Sequence, residues 1–247
     1  MSTRFVNRRA ALVCLAAVSC VLTLSADAFA QRRASGGTYR AVVVDERLAA
    51  LRDAPGLSAP LVQRMRRGRA VTVLNSTRAR DGVAFHRVAV TRRTRGWLQS
   101  EALASPARAG DDERLLRLVR ASEDFDRLAR AQIFLEWFPK SALRPAALML
   151  YGAAAEASAA RLSRDAARRL DAREIEAGGA PAFTYFMNYN GLDRFNRAGV
   201  TFVYDRAARR FHYDGASWRE ILRRHPRSPE AAEARRRLET LTVVSEN

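Results

Sequence analysis

Three hydrophobic patterns follow one another along the chain. Residues 10–24 form an apolar run broken only by small or weakly polar side chains. From Tyr39 to about Leu103, short β-branched or aromatic runs appear at Val42-Val43-Val44, 70–74 and 85–90. Alternation within them puts every second side chain on one face of a strand. Pro55-Gly56, Arg67-Gly68 and Asp81-Gly82 separate the runs; proline presets φ and glycine tolerates positive φ, so each pair marks a turn. Strands this short and closely spaced predict a small all-β barrel over residues 39–104, after a small, polar linker over 31–38. The stretch from Asn75 to Ala84 reads as a long loop within it.

Beyond a second linker at 105–111 the period changes from 2 to 3.6, so residues 112–247 are expected to be α-helical. Leu115, Leu118 and Val119 begin a helix whose N-terminal end Asp111, Asp112 and Glu113 favour through the dipole. Phe125, Leu128, Ala131 and Leu135 repeat at helical spacing before Pro139. Ser141 is a candidate N-cap with Pro145 near the first turn, and the next helix runs through Leu143, Ala147, Leu150 and Ala154 toward Leu170 and Gly178-Gly179. Trp218, Ile221, Leu222 and His225 form another stripe that Pro226 ends. Ser228-Pro229-Glu230 then starts a last helix with Ala231, Ala234, Leu238 and Leu241 inward. Between the helix pairs, residues 200–213 are either a hairpin or a helix, and their β-branched and aromatic density favours the hairpin.

Two resemblances attach to these elements. Leu51-Arg52-Asp53-Ala54-Pro55, the run Leu61 through Leu74 with Gly68 inside it, Phe85-His86-Arg87-Val88 and Gly96-Trp97-Leu98 with Leu103 stand in an order and spacing that resembles the bacterial SH3-like (SH3b) domain. Ala54 departs from that pattern, which has glycine there, and the Asn75–Ala84 stretch is long for it. The resemblance implies an SH3-like barrel. The segments Ile133 to Ser141 and Ile221 to Ser228 share a plan of amphipathic helix, aromatic-Pro or His-Pro stop, basic residue, serine and Ala-rich helix, which resembles tetratricopeptide-like helical hairpins. The whole is then a multidomain α+β chain, a barrel followed by a helical region.

At the amino terminus, Arg4, Arg8 and Arg9 precede the apolar run, and Ala28-Phe29-Ala30 offers small residues for signal peptidase. Residues 1–30 therefore read as a signal peptide cleaved after Ala30, giving a periplasmic or extracellular protein. Acylation of Cys20 is the alternative, disfavoured because Ala17-Val18-Ser19 lacks the usual leucine and the apolar run continues past the cysteine. Both cysteines, Cys14 and Cys20, fall in the signal. The exported part thus has no disulfide, thiolate nucleophile or Cys-ligated zinc.

Charge changes the picture last. The 247 residues carry 43 Lys+Arg against 26 Asp+Glu, a net +17, and Lys140 is the only lysine. An arginine and alanine excess spread along the chain reads first as compositional bias. Arg64, Arg66, Arg67 and Arg69 at one turn and Arg92, Arg93 and Arg95 at another stand out, with Trp97 beside them, as candidate binding residues. Guanidinium forks suit carboxylate and phosphate. A basic protein invites nucleic acid, but export argues against it. His86, His212 and His225 lack ligand spacing, so no metal, cofactor or catalytic residue is assigned. The expected function is non-catalytic binding or scaffolding in the cell envelope. In that reading the barrel meets peptidoglycan or a protein, the helical part docks a protein partner, and the membrane is involved only if Cys20 is lipidated. A wall-active enzyme or accessory subunit using carboxylates of the helical region is the alternative, and a polyanion binder driven by arginine alone is a third.

Overall fold

A computed structural model describes residues 37–169, 192–205, 208 and 210–245. The signal peptide, the break after Ala30, most of the 31–38 linker and the Gly178-Gly179 helix end lie outside the described residues. Strands β1 (Tyr39–Val43), β2 (Ala50–Arg52), β3 (Leu61–Arg64), β4 (Ala70–Arg78), β5 (Ala84–Ala89), β6 (Arg95–Gln99) and β7 (Leu103–Ala104) form one antiparallel sheet, in the order β3-β2-β6-β5-β4-β1-β7. Gly68 and Gly82 take φ of +78° and +82° at their turns, a region that costs an L side chain strain.

The triple valine explains the architecture. Ala41 and Val43 face Leu51, Val71, Val73, Val88 and Leu98 in the core of the sheet. Val42 and Val44 face the other way, onto Leu115, Leu116, Ile133, Phe134 and Ala147 of the helices. A strand covered on both sides is apolar at every position.

The same fact corrects the expected barrel. The sheet curls round one core, but it has two edges, β3 and β7, and no ladder closes it. The helices cover the outer side of β1, and the edge strand β7 stops after two residues, where the chain turns at Ser105. That residue is fully buried, donates its hydroxyl to Arg40 O at 2.6 Å, and gives its N–H to Asp111 Oδ2 at 2.8 Å. Segment 105–111 is therefore a pinned corner between sheet and helices. Half of the expected Asn75–Ala84 loop is strand, with only residues 79–83 left to the turn. A bulge between Val73 and Asn75 resets the register, and Ser76 pairs with His86 and Thr77 with Phe85.

Helices α1 (Asp111–Arg120), α2 (Asp124–Trp137) and α3 (Arg144–Arg169) follow, then α4 (Leu192–Arg197), β8 (Phe202–Asp205), β9 (Arg210–Tyr213), α5 (Ala216–Arg224) and α6 (Ala231–Ser245). Residues 200–213 contain the hairpin, with Phe202 opposite Tyr213 and Asp205 opposite Arg210. Its β9 edge is completed by α3, because Phe211 N–H donates to Ser163 Oγ and Tyr213 N–H to Glu156 Oε2, both at 2.8 Å. Trp218 and Ile221 of α5 join Leu148, Ala155 and Phe195 in the helical core. A Cβ on Gly152 would lie 2.4 Å from Trp218 Nε1, so the missing side chain is what lets α5 close on α3.

The two serines of the shared plan differ. Ser141 Oγ accepts Leu143 N–H at 3.1 Å and donates to Asp112 at 2.6 Å, tying the α3 start to α1. Ser228 Oγ is buried without a hydrogen-bond partner, so α6 begins without a hydroxyl cap from it. Among the described residues, no helix is long and apolar enough to cross a membrane.

Candidate binding face

Carboxylates and arginines gather first along the seam between sheet and helices. Arg130 of α2, nearly buried, donates to Val44 O at 3.1 Å and Ser122 Oγ at 2.6 Å and lies 3.6 Å from Asp45. Burial and the nearby Arg67 push its guanidinium below the ordinary arginine value, yet arginine stays charged. Arg67, one of the candidate residues, turns inward. Its guanidinium meets Asp126 at 2.9 Å, and its N–H donates to Glu46 at 2.8 Å. These side chains border a groove of about 460 Å³ that also touches Phe125, Gln132 and Glu136. Beside it, a second groove of about 310 Å³ is bordered by Glu136, Arg144, Tyr151, Tyr213 and Glu220.

Paired acids in a cleft are what carboxylate catalysis would require. Here the chemistry runs the other way. The Arg67 hydrogen bond holds Asp126 below the usual carboxylate range. Burial tends to raise Asp45, but its hydrogen bonds from Arg47 and the charge of Arg130 outweigh that and lower it. Glu220 is held by Arg144 at 2.8 Å, and Glu136 accepts from Gln132 at 3.0 Å. A general acid needs its proton retained near neutrality, the opposite of what Arg67 does to Asp126 and Arg47 to Asp45. Asp111 and Asp124, the other acids at helix starts, pair with Arg114 and Arg161.

Ser76 and His86 come together across β4 and β5, with Oγ 2.7 Å from Nδ1. Arg108 reaches Nε2 at 3.1 Å. Guanidinium only donates, so Nε2 accepts and the proton of the neutral ring sits on Nδ1, facing the serine. A nitrogen already protonated cannot take the hydroxyl proton, so the pair does not activate a nucleophile. Burial first, then the charge of Arg108, pushes His86 down to about 4. The ring is a structural pin, with the edge of Tyr39 against it at 6.3 Å between centroids.

The outward face of the sheet is different. Register places Arg52 opposite Trp97, Trp97 opposite Arg87, and Arg87 opposite Asn75. One cross-strand row thus carries a half-buried indole between two arginines, and neighbouring positions in such a row lie about 5 Å apart. Arg95 lies two residues from Trp97 on the same face, while Leu98, between them and the next turn, points into the core. Among the described residues, Arg87, Arg95, Arg92, Arg93, Arg64, Arg66 and Arg69 are exposed and have no ion-pair partner.

The candidate residues are therefore redistributed. Thr72 pairs with Ala89 and Ala89 with Arg95, so Arg69 and the Arg92-Arg93 turn share one end of the β4–β5–β6 ladder. Arg64, paired with Ala50, sits toward the other end of the β2–β6 side. Arg67 is spent on Asp126. Two residues of the row, Arg52 and Arg87, escape a search for charge clusters along the chain. Their signal is alternation: each follows a buried side chain on a short strand. Phe85, another aromatic of the unit, is fully buried. Among the described residues, no group of three His, Cys, Asp or Glu side chains is placed to hold a metal ion. No protein family, curated protein or solved structure matches this chain.

Proposed function

We propose that this chain is a non-catalytic binding protein exported to the bacterial cell envelope, and that the outward face of its sheet meets anionic wall polymer. The observation that carries the reading is the row Arg52–Trp97–Arg87, an indole between a half-buried Arg52, whose guanidinium also donates to Ala59 O, and an exposed Arg87 with no ion-pair partner. An indole offers a flat apolar surface for a sugar ring, and guanidinium groups beside it suit the carboxylates of a wall peptide or glycan. The order of the SH3b-like motifs along β2, β3, β4, β5 and β6 supports the same assignment, as an opened relative of that barrel. The helical part, with its Tyr151 and Tyr213 groove between α2, α3 and α5, would dock a second envelope protein. Export rests on the N-terminal pattern read above.

Sedimentation with purified peptidoglycan tests the face. Trp97→Ala and Arg87→Ala are each expected to lower the bound fraction severalfold, and together roughly tenfold or more. Binding that survives the double variant and falls only with salt would overturn the reading in favour of plain counter-ion electrostatics.

A further inference from the structure

We propose that one end of the sheet, formed by the β2–β3 loop and the β5–β6 turn, docks on the surface of an anionic lipid bilayer. The inference goes beyond the wall-binding face, which it adjoins through Arg95 and through Leu61, the neighbour of Arg52 in its row. Among the described residues the exposed large apolar side chains are Leu57, Leu61, Val62 and Val203, each about half exposed. Three of these four fall within six consecutive positions, which scattered surface hydrophobics would not do.

Register shows where that stretch lies. Arg52 pairs with Trp97 on one side and Leu61 on the other, so the loop 53–60 projects past the end of the ladder that begins β6. The turn bearing Arg92 and Arg93 joins β5 to β6 at that same end, and Arg69 enters β4 there. Leu57 and Leu61 thus lie toward the same end of the sheet as Arg92, Arg93 and Arg95, with β2 between β3 and β6, and Arg69 stands at that end two strands further along, at the start of β4. The loop and the turn contain one carboxylate, Asp53, so the end is strongly cationic.

The combination selects the partner. Unpaired arginines alone would fit any soluble polyanion, which gives Leu57 and Leu61 nothing to enter. Apolar side chains alone would fit a protein surface, which does not call for unpartnered cations at the same end of the sheet. An anionic bilayer supplies both: acyl chains for the leucines at the tip, and phosphate-bearing headgroups for the guanidinium forks around them. This contact needs no lipid on Cys20.

Flotation with vesicles tests the proposal, using the whole protein as isolated. Vesicles of phosphatidylcholine and phosphatidylglycerol in equal parts are expected to carry it. Vesicles of phosphatidylcholine alone should not, and they also report any binding through residues 10–24. Arg92→Glu with Arg93→Glu should weaken binding roughly tenfold or more. Leu57→Ser with Leu61→Ser should weaken it severalfold at unchanged charge. Equal binding to the two vesicle types would overturn the proposal, as would a leucine variant that floats like the parent and is displaced by inorganic polyphosphate. Hydrogen exchange on the unaltered protein gives a variant-free readout. Vesicles should protect residues 53–62 and 91–95, and their unchanged exchange would overturn the proposal. The Trp97 and Arg87 variants should float normally, so failure here and failure of wall binding are separable.

Discussion

Along the seam, Arg130, Arg67 and Arg114 each end on a carboxylate; on the outward face, Arg87, Arg92, Arg93 and Arg95 end on none. The residue type is the same and the composition is uniform, so the difference lies in position. Seam arginines sit where two apolar surfaces meet, and a charge removed from water there must be paired. Face arginines stay hydrated and cost the fold nothing unpaired. The unpaired arginines of the described sheet face are therefore available to a ligand.

The seam should break first. Arg130→Ala removes the donor to Val44 O and Ser122 Oγ and strips Asp45 of its buried counter-charge. Loss of one partner from a buried pair costs about 3–5 kcal/mol, and the low end fits because Arg47 still holds Asp45. Urea unfolding should show that loss as a lower midpoint. Arg47→Ala, on a guanidinium 83% exposed, should change the midpoint very little. Equal effects from the two would show that burial does not divide the arginines.

A second test uses acid. His86 has a folded pKa of about 4 against an ordinary value of 6.5. The unfolded chain therefore takes up the proton first as pH falls. Stability due to the neutral ring is complete above about pH 6.5 and is lost progressively toward pH 4, in total on the order of 1–3 kcal/mol. His86→Phe, which cannot titrate, should flatten the midpoint-against-pH curve in that window. The same slope in the variant would mean that another group carries it.

Most strand and helix positions were legible because a period of 2 gives way to one of 3.6, and the hairpin at 202–213 followed from its aromatic density. Closure of the sheet was not. Val42-Val43-Val44 reads as a strand either way, and only the helices show that both its sides are covered. The strand content of 75–84 was hidden by the bulge at Val73/Asn75, which shifts parity in the middle of β4. The row Arg52–Trp97–Arg87 is assembled from three strands whose order is not sequential, so clusters along the chain could reveal Trp97 but not its flanking arginines. Arg130 was concealed for another reason. At four positions from Asp126 in an arginine-rich helix, it looks like an ordinary surface pair.

The smallest expected effect is the most discriminating. Arg87→Ala and Arg95→Ala remove exposed guanidinium groups that have no ion-pair partner, so the unfolding midpoint should shift by no more than the equivalent of about 0.5 kcal/mol. Their positions in the sheet are held by backbone ladders, Arg87 to Trp97 and Arg95 to Ala89, which alanine preserves. Relief of repulsion among neighbouring cations pushes the other way, so a slight rise in stability is as acceptable as no change. A fall comparable to that of Arg130→Ala would mean that these side chains support the fold through packing of their aliphatic stems. The separation of pinned seam from free face would then fail at its simplest point.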